Sequence, residues 1–568
     1  MTLKNVTNLQ NSGQALFPLQ ITMKINQFQT QHIQDMCLAI RPVIGEQAGK
    51  LWQSYIYADE EAKEEIGETI ELLALSSLRN EVTNTTPVFL PPSREEAQGE
   101  IEIGHVVYNG KQLYPFGLKK SELFQHFACF SRSGGGKTNL GFLILKSLAR
   151  QDVPFLVLEW KRNYRDLLPF PEFQYLKVYT IGRNIAPFRF NPLIPPKGVD
   201  PKSYLKKLLF VLADSFLLGP GALYLLQCAL DDVYQRAGVY DGSVKTYPTF
   251  HDVFDWIESF SRNLKGREML WAASCLRTIS CLCFGQIDDI INTNSTQDLE
   301  KLLQQQVIFE MDALSHTDKV FFIDALLLWI HDYRLTQPQR EELVHAIFLE
   351  EAHHILAKRG KYLAGNESIT DLIFREIREY GEALLVFDQM PSEISKACLA
   401  NSYCTIAMNA KEKADVATLA GSMLLDDSQK NALGEMEIGK ALVKLQGRIM
   451  KPFMVHIPLM PVKKGIVTDE MLGEKMKPYV SIEPANHYGD LSGHERELLQ
   501  DIALLPNSGV AARYHRCGLS GRQGDKIKRL LLEKGYIQEQ EVVSGKGKSK
   551  VLRLTEKGRK ALCDIYGL

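Results

Sequence analysis

The feature that most constrains the fold is a glycine-rich loop in the first third of the chain. The apolar run 126–130 is followed by the loop 131–139 (SRSGGGKTN) and then by the apolar stretch 140–148. A strand, a glycine-rich turn, Lys-Thr and a helix in this order form the Walker A arrangement. Glycines let backbone N–H groups turn inward around phosphate oxygens, and the helix N-terminus adds its positive end. The loop therefore predicts a nucleotide site in an α/β domain.

The polar residues of this loop have separate expected roles. Lys137 is expected to reach the β- and γ-phosphates of ATP, and the Thr138 hydroxyl to ligate Mg²⁺. Ser131 stands where the usual GxxxxGK[ST] pattern has its first glycine, so the loop departs from the pattern at one position. The residues expected to contact the nucleotide are Ser133, Gly134, Gly135, Gly136, Lys137, Thr138 and Asn139.

Two consecutive carboxylates follow a later apolar run. Residues 346–349 are apolar and lead directly into Glu350 and Glu351. We expect Glu350 to lie near Mg²⁺ through the water shell of the ion, and Glu351 to act as the base for the attacking water. His353 is expected to be structural or to neighbour the γ-phosphate, because no Cys or suitably spaced His accompanies it as a metal ligand.

A second polar strand end follows. The apolar run 383–387 ends in Asp388-Gln389, and Gln389 is expected to sense the γ-phosphate. Just before this run, Arg378 is a candidate arginine finger that would reach the nucleotide of a neighbouring subunit, with Arg375 as the second choice. Both arginines could equally be ordinary surface residues of a helix.

The rest of the chain predicts several domains. Short apolar runs separated by helical stretches indicate a parallel sheet, and the alternating segment 101–114 around Asn109-Gly110 indicates a hairpin. Two further runs, 441–445 and 453–457, are expected to pair as antiparallel strands. The predicted order is a helical region of unknown role (1–95), an ATPase domain (96–461) with a helical insertion (about 200–303), a linker (462–490) and a winged-helix domain (491–568).

Composition excludes several classes. The 568 residues are 45% hydrophobic and 24% charged, which excludes a disordered tail protein or a disulfide mini-scaffold. The ten cysteines are scattered and no signal peptide is recognisable, so a cytoplasmic protein with reduced thiols and no membrane span is expected. Net charge is −2, yet residues 510–568 hold 14 Lys/Arg against 6 Asp/Glu. A basic C-terminal module is therefore joined to a mildly acidic body.

That module has the pattern of a winged helix. Helices are expected over 493–504, 510–517 and 524–534, then a hairpin of 536–543 with 551–554, then a helix over 556–565. Basic side chains on the recognition helix and the wing suit phosphate contacts on duplex DNA, although a winged helix that docks a protein is the alternative. The expected DNA-binding residues are Arg522, Lys526, Lys528, Arg529, Lys546, Lys548 and Lys550.

Together these motifs resemble the HerA/FtsK superfamily. The resemblance rests on SRSGGGKTN, IFLEEAHHIL, REIREYG followed by LLVFDQMPSEIS, and RFNPL, over about residues 100–460. EEAH followed by Q-x-P-S-E is similar to the HerA branch. The resemblance implies a RecA-like core, a homohexameric ring and ATP-driven movement of DNA. The helical N-terminal region differs from the small β-barrel with which HerA proteins usually begin.

A nuclease pattern is also present, but its geometry is unfavourable. Asp152 with Glu159-Trp160-Lys161 imitates the D…ExK spacing of metal nucleases, but Asp152 precedes the same short strand that carries Glu159. Two carboxylates on adjacent strands would be needed to converge on one metal ion.

The functional expectation is a ring-forming translocase or helicase acting on double-stranded DNA. The resemblance makes it the motor subunit of a complex, in DNA processing or antiviral defence, with a separately encoded nuclease or NAD-degrading (sirtuin-like) effector. The alternative is a nucleotide-switched DNA-binding regulator that does not translocate.

Overall fold

Two units make up the computed structural model. The first contains Met1–Val153, Phe348–Arg359 and Ala383–Val462, and the second contains Pro154–Ile347, Gly360–Glu382 and Lys463–Leu568. The residues that the structure describes are 16–77, 89–262, 264–294, 297–357, 368–480, 491, 493–544 and 547–566.

Apolar, β-branched and aromatic residues dominate the central strands of the large sheet, as burial on both faces requires. The strands are β1 (Ile101–Tyr108), β2 (Lys111–Leu118), β3 (Phe127–Phe130), β4 (Phe155–Glu159), β5 (Lys177–Thr180), β6 (Gln306–Glu310), β7 (His345–Glu350), β8 (Glu382–Asp388), β9 (Cys404–Ala407), β10 (Lys440–Leu445), β11 (Phe453–His456), β12 (Ile537–Ser544) and β13 (Gly547–Leu554).

Helices fill most of the connections. They are α1 (Leu16–Ile44), α2 (Glu46–Tyr57), α3 (Glu60–Ser77), α4 (Lys120–Leu123), α5 (Lys137–Arg150), α6 (Pro201–Phe216), α7 (Pro220–Arg236), α8 (Phe250–Ser261), α9 (Arg267–Leu282), α10 (Gln286–Ile291), α11 (Leu299–Leu302), α12 (His316–Thr336), α13 (Ile369–Glu376), α14 (Lys396–Asn401), α15 (Lys413–Met423), α16 (Asp427–Glu435), α17 (Asp469–Met476), α18 (Gly493–Leu504), α19 (Val510–Arg516), α20 (Gly521–Glu533) and α21 (Glu556–Tyr566). Within the described ranges, no helix combines the length and the apolar character needed to cross a bilayer.

In the first unit the strands lie in the order β2-β1-β11-β10-β9-β3-β8. Strand β3 pairs in parallel with β8 and with β9, and the pairs from β9 outward to β2 are antiparallel. Every residue of β3 is buried. Phe130 and Asp388 are register partners, so the ends of β3 and β8 meet at the edge where the glycine-rich loop begins.

The N-terminal helical region and the hairpin are confirmed within the described residues. Buried apolar residues of α1, α2 and α3 form one cluster, and the Tyr108 hydroxyl at the end of β1 donates to the carbonyl of Ala39 in α1. The hairpin turns at Asn109 and Gly110, with φ of 48° and 69°. Positive φ at both residues is what a two-residue Asn-Gly turn requires.

In the second unit β4, β6 and β5 form a parallel set in that order. The helices α6 to α11 occupy the region predicted as a helical insertion. Asp200 caps α6 through the backbone N–H of Ser203, and Pro201 is its first residue, a favoured combination at a helix start. Strand β5 was not predicted, because its residues KVYT include a charged and a hydroxyl side chain and do not form an apolar run.

The segment predicted as a linker, 462–490, differs from that prediction. Residues 469–476 form helix α17, which Thr468 caps and whose Leu472 and Met476 are buried. Asp469 forms an ion pair with Arg165 at 2.6 Å. These contacts hold the middle of the segment on the second unit; residues 481–490 lie outside the described ones.

In the C-terminal region the elements follow the predicted order. Helices α18, α19 and α20 precede the antiparallel pair β12–β13 and helix α21, and their apolar faces share one buried cluster. Arg513 is fully buried, pairs with Asp501 at 2.8 Å and donates to the carbonyls of Leu505 and Pro506. The assignment of this region as a winged-helix domain stays a prediction.

Candidate active site

The glycine-rich loop connects β3 to α5, as its sequence predicts. Gly134 and Gly136 have φ of 75° and 112°, a region that residues with a Cβ rarely occupy. A Cβ on Gly135 would lie 2.0 Å from the Ser131 Oγ. The loop therefore requires glycine at all three positions, and its backbone can approach phosphate oxygens closely.

Ser131, the departure from the usual pattern, is built into the loop. Its side chain is buried under Gly135, and its N–H donates to the carbonyl of Asp388 at 3.1 Å. The N–H of the next residue, Arg132, donates to the carbonyl of Asn409 at 2.9 Å. The loop is thus held between the ends of β8 and β9, and a hydroxymethyl group occupies the space beside the second glycine.

Lys137 begins helix α5. Its Nζ donates to the carbonyl of Ser131 at 2.6 Å, so the side chain lies along the inside of the loop. Burial lowers the pKa of Lys137, and the negative charges of Glu351 and Asp388 oppose part of that shift. Those carboxylates therefore act electrostatically on the same ammonium that is expected to contact the β- and γ-phosphates.

Thr138 and Asn139 lie half-buried in the first turn of α5. The Asn139 amide is engaged by backbone: its Nδ2 donates to the carbonyl of Pro458 at 2.9 Å, and its Oδ1 accepts from the N–H of Met460 at 2.8 Å. Any contact between Asn139 and the nucleotide is therefore left to its backbone. The Thr138 hydroxyl remains the expected Mg²⁺ ligand.

Glu350 ends β7, and Glu351 follows it in a left-handed conformation, with φ 48° and ψ 46°. Such a conformation costs a residue with a side chain on the order of 1–3 kcal/mol and persists only where the surrounding structure holds it. The Gln389 Nε2 donates to both carboxylate oxygens of Glu351, at 2.7 and 3.0 Å. The structure thus brings together the residues predicted as base and as γ-phosphate sensor.

Asp388 is the residue of this site that the sequence reasoning missed. It is fully buried, and its Oδ1 accepts from the N–H groups of Gln389 and Met390, both at 2.7 Å. Its Oδ2 accepts from the N–H of His353 at 2.6 Å and lies 2.9 Å from the His353 Nδ1. One carboxylate therefore fixes both the turn that carries Gln389 and the turn that follows Glu351. The sequence signal that could have identified Asp388 is an acidic residue at the end of an apolar run.

His353 is structural in this arrangement, through its contacts with Asp388. Burial alone would lower the pKa of His353, but the hydrogen bond and charge of Asp388, together with Glu351 and Glu393, outweigh it and raise the pKa above its usual value. The imidazole thus has a stronger tendency to carry a positive charge beside the carboxylates of the site.

Arg375 and Arg378 belong to the second unit. Arg375 is in the last turn of α13 and is exposed, and Arg378 is half-buried in the single turn Ile377–Tyr380 that follows. Within the described part of the chain, the Arg378 side chain has no hydrogen-bond or ion-pair partner. Its role as a finger stays a prediction.

The nuclease-like pattern has a structural use in the second unit. Glu159 is fully buried, and its carboxylate accepts from the N–H groups of Asn163 and Tyr164. These bonds hold the loop after β4. No group of three or more metal-ligating side chains is present among the described residues.

A cluster of three arginines and three acids, also missed from the sequence, lies at the ends of the parallel strands of the second unit. Arg165 bonds both Glu310 and Asp469, and Arg183 lies 2.8 Å from Glu310. Arg162 completes the cluster through Asp312 at 2.6 Å. Most of these partners are more than 100 residues apart in sequence, so no local pattern marks them.

The predicted DNA-binding residues separate into groups. Arg522, Lys526 and Arg529 are exposed and spaced so that they share one face of α20. Lys528 lies on another face and pairs with Glu539 at 3.1 Å. Lys546 and the side chains of Lys548 and Lys550 lie outside the described residues, although the backbone of the last two belongs to β13.

The centre of the chain is similar to a known protein family. Residues 101–327 match the family model described as the central domain of the helicase HerA. No curated protein sequence matches the chain.

Solved structures resemble the chain in fold. VirB4 of Thermoanaerobacter pseudethanolicus superposes with a TM-score of 0.50 and 14% identity, over 64% of this chain and 96% of that one. The plasmid coupling protein TrwB in complex with ADP and Mg²⁺ gives a TM-score of 0.47 and 9% identity, over 63% of this chain and 90% of TrwB. At such identities the VirB4 match shows a shared fold, mixed α/β with a sheet in which parallel strands dominate.

Proposed function

We propose that the chain carries a P-loop ATPase domain of the HerA/FtsK type and uses ATP hydrolysis to move along or remodel double-stranded DNA. The observation that carries the proposal is the meeting of three predicted residues in one unit. Gln389 bonds Glu351, and the charge of Glu351 acts on Lys137. A phosphate-binding cation, a base and an amide sensor are the parts that phosphoryl transfer to water needs.

ATP and Mg²⁺ are the ligands that this site fits. The three glycines leave no Cβ between the loop backbone and a phosphate chain, and Lys137 supplies the charge for the β- and γ-phosphates. Thr138 and Glu350 would hold Mg²⁺, directly and through water respectively. When bound, the ion would neutralise charge that develops on the phosphate oxygens. Glu351 would accept a proton from the attacking water, and Gln389 would sense the γ-phosphate.

Self-assembly is part of the proposal. The expected form is a homohexameric ring in which Arg378 reaches the nucleotide of the next subunit. Support comes from the Arg378 side chain, which makes no ion pair within the described part of its own chain. An arginine that is not held by an acid of its own subunit can contact a phosphate of another.

DNA would be bound with help from the C-terminal region. The exposed face of Arg522, Lys526 and Arg529, with the three wing lysines, would contact phosphates, which give affinity without sequence choice. DNA cleavage would come from a separately encoded nuclease, because the nuclease-like Glu159 is already used to hold a loop. A separately encoded NAD-degrading (sirtuin-like) effector is the other candidate partner.

The experiment that tests the function is ATP turnover with and without duplex DNA. A motor should hydrolyse ATP faster on DNA and should displace a third strand from a duplex in an ATP-dependent reaction. ATP-dependent DNA binding without displacement would instead identify the nucleotide-switched regulator.

A further inference from the structure

Leu459 is an exposed apolar residue in a rigid position. It lies in the segment 457–461 (IPLMP) that follows β11, and 84% of its surface is exposed. Its neighbours Ile457 and Met460 are buried. A single exposed leucine is ordinary, so the inference rests on what holds this one in place.

The first turn of the phosphate-loop helix holds Leu459 from both sides. The Asn139 Nδ2 donates to the carbonyl of Pro458 at 2.9 Å, and the N–H of Met460 donates to the Asn139 Oδ1 at 2.8 Å. Both residues flanking Leu459 are therefore tied to one side chain, two positions after Lys137. The segment cannot rotate to bury Leu459 without breaking these bonds.

Asn139 lies beside the predicted phosphate site. Its position therefore indicates where Leu459 would lie relative to a bound nucleotide. In a phosphate loop the lysine takes the β- and γ-phosphates, while backbone N–H groups cradle the α- and β-phosphates. The ribose and the base then continue away from the lysine, past the start of the helix. The residues on both sides of Leu459 are bonded to Asn139, two positions after Lys137, so Leu459 lies beside the part of the loop from which the ribose and base would extend.

We propose that Leu459 is an apolar platform on which the base of the bound nucleoside triphosphate packs. This inference rests on the proposed function, because it requires a nucleotide in the loop. A flat ring that packs on Leu459 would remove the exposed apolar surface of this side chain from water, as in other small-molecule sites.

The chemistry of the segment defines what the platform recognises. The side chains of Ile457, Pro458, Leu459, Met460 and Pro461 carry no hydrogen-bond donor and no strong acceptor. They contact a ring face but do not read its edge, and apolar contacts discriminate weakly between similar ligands. The platform should therefore bind adenine and guanine with affinities within about tenfold of each other.

The test separates the base from the phosphates. Dissociation constants are measured for ATP and for inorganic tripolyphosphate, each with Mg²⁺, on the full chain. Leu459→Ala should weaken ATP binding about tenfold, the effect of uncovering one leucine side chain, and should leave tripolyphosphate binding unchanged. Leu459→Met, which keeps the apolar contact, should retain ATP binding within about twofold.

Matched controls make the outcomes distinct. Leu72→Ala removes a leucine that is 66% exposed on α3 and should change neither constant. If Leu459→Ala changes both constants by the same factor, or changes neither, the platform is wrong. If Lys137→Ala still binds tripolyphosphate as the unmodified chain does, the phosphate site itself is wrong, and the proposed function fails rather than the role of Leu459.

Discussion

The side-chain amide of Gln389 donates to both carboxylate oxygens of Glu351, at 2.7 and 3.0 Å. This contact joins the end of β8 to the residue that follows β7 in the same unit. While both carboxylate oxygens accept from the amide, the lone pairs that would take the proton of the attacking water are engaged. We therefore expect that ATP hydrolysis requires the Gln389 amide to break one of these two hydrogen bonds. The freed N–H would then bond the γ-phosphate or the water.

Glu351→Gln should bind ATP and fail to hydrolyse it. An amide cannot accept the proton of the attacking water, so kcat should fall by about 10²–10⁴-fold. The carbonyl oxygen of the introduced amide can still accept from Gln389, which keeps the turn in place. Binding of a fluorescent ATP analogue and phosphate release measure the two effects. Turnover near the unmodified rate would show that another group is the base.

His353 should stabilise the fold in a pH-dependent way. Its pKa is raised in the folded state, chiefly by Asp388 against the effect of burial, so its contribution is complete below the unfolded pKa of about 6.5 and is lost as pH rises through the folded pKa. His353→Ala should therefore cost more stability at pH 6 than at pH 9, by roughly 1.5–3 kcal/mol for a charged hydrogen bond.

Thermal or denaturant unfolding at the two pH values measures this difference. His32→Ala, which removes an exposed histidine of α1, is the control for the loss of a histidine side chain. An equal cost of His353→Ala at pH 6 and pH 9 would show that the Asp388 contact does not depend on charge.

Hydrolysis should depend on a neighbouring subunit through Arg378. A finger supplied in trans is worth roughly 10³–10⁵ in rate, so Arg378→Ala and Lys137→Ala should each be nearly inactive alone. Mixed rings should regain activity, because a Lys137→Ala subunit can offer its Arg378 to a neighbour with an intact loop. Arg375→Ala tests the second candidate, and rescue of that variant in mixed rings, without rescue of Arg378→Ala, would move the finger to Arg375. Mixed rings without any recovery would exclude Arg378 as the trans finger.

The parts of this site that could be predicted from the sequence belong to short local motifs. The loop at Lys137 and the paired carboxylates at Glu351 are short patterns whose chemistry requires their neighbours in sequence. Asp388 was missed because its role comes from N–H groups on two turns, one of them 35 residues away at His353. Helix α17 was taken for part of a linker because the ion pair of Asp469 with Arg165 spans 304 residues.

The wing should contribute to DNA affinity through charge. Each phosphate contact on duplex DNA changes the slope of log K against log salt by about −0.9. Changing Lys546, Lys548 and Lys550 together to Ala should flatten the slope by roughly one to three units and weaken binding similarly on unrelated sequences. Basal ATP hydrolysis without DNA should stay the same. Unchanged slope and affinity, with loss of a protein partner, would assign the wing to protein docking.

The most direct test of ATP-driven DNA movement is displacement of a third strand from duplex DNA, compared between the unmodified chain and Glu351→Gln. The unmodified chain should displace the strand, with ATP turnover stimulated by DNA. Glu351→Gln should do neither, although ATP and DNA remain bound. Displacement that continues in Glu351→Gln, or DNA that leaves turnover and displacement unaffected in the unmodified chain, would contradict DNA movement driven by ATP hydrolysis.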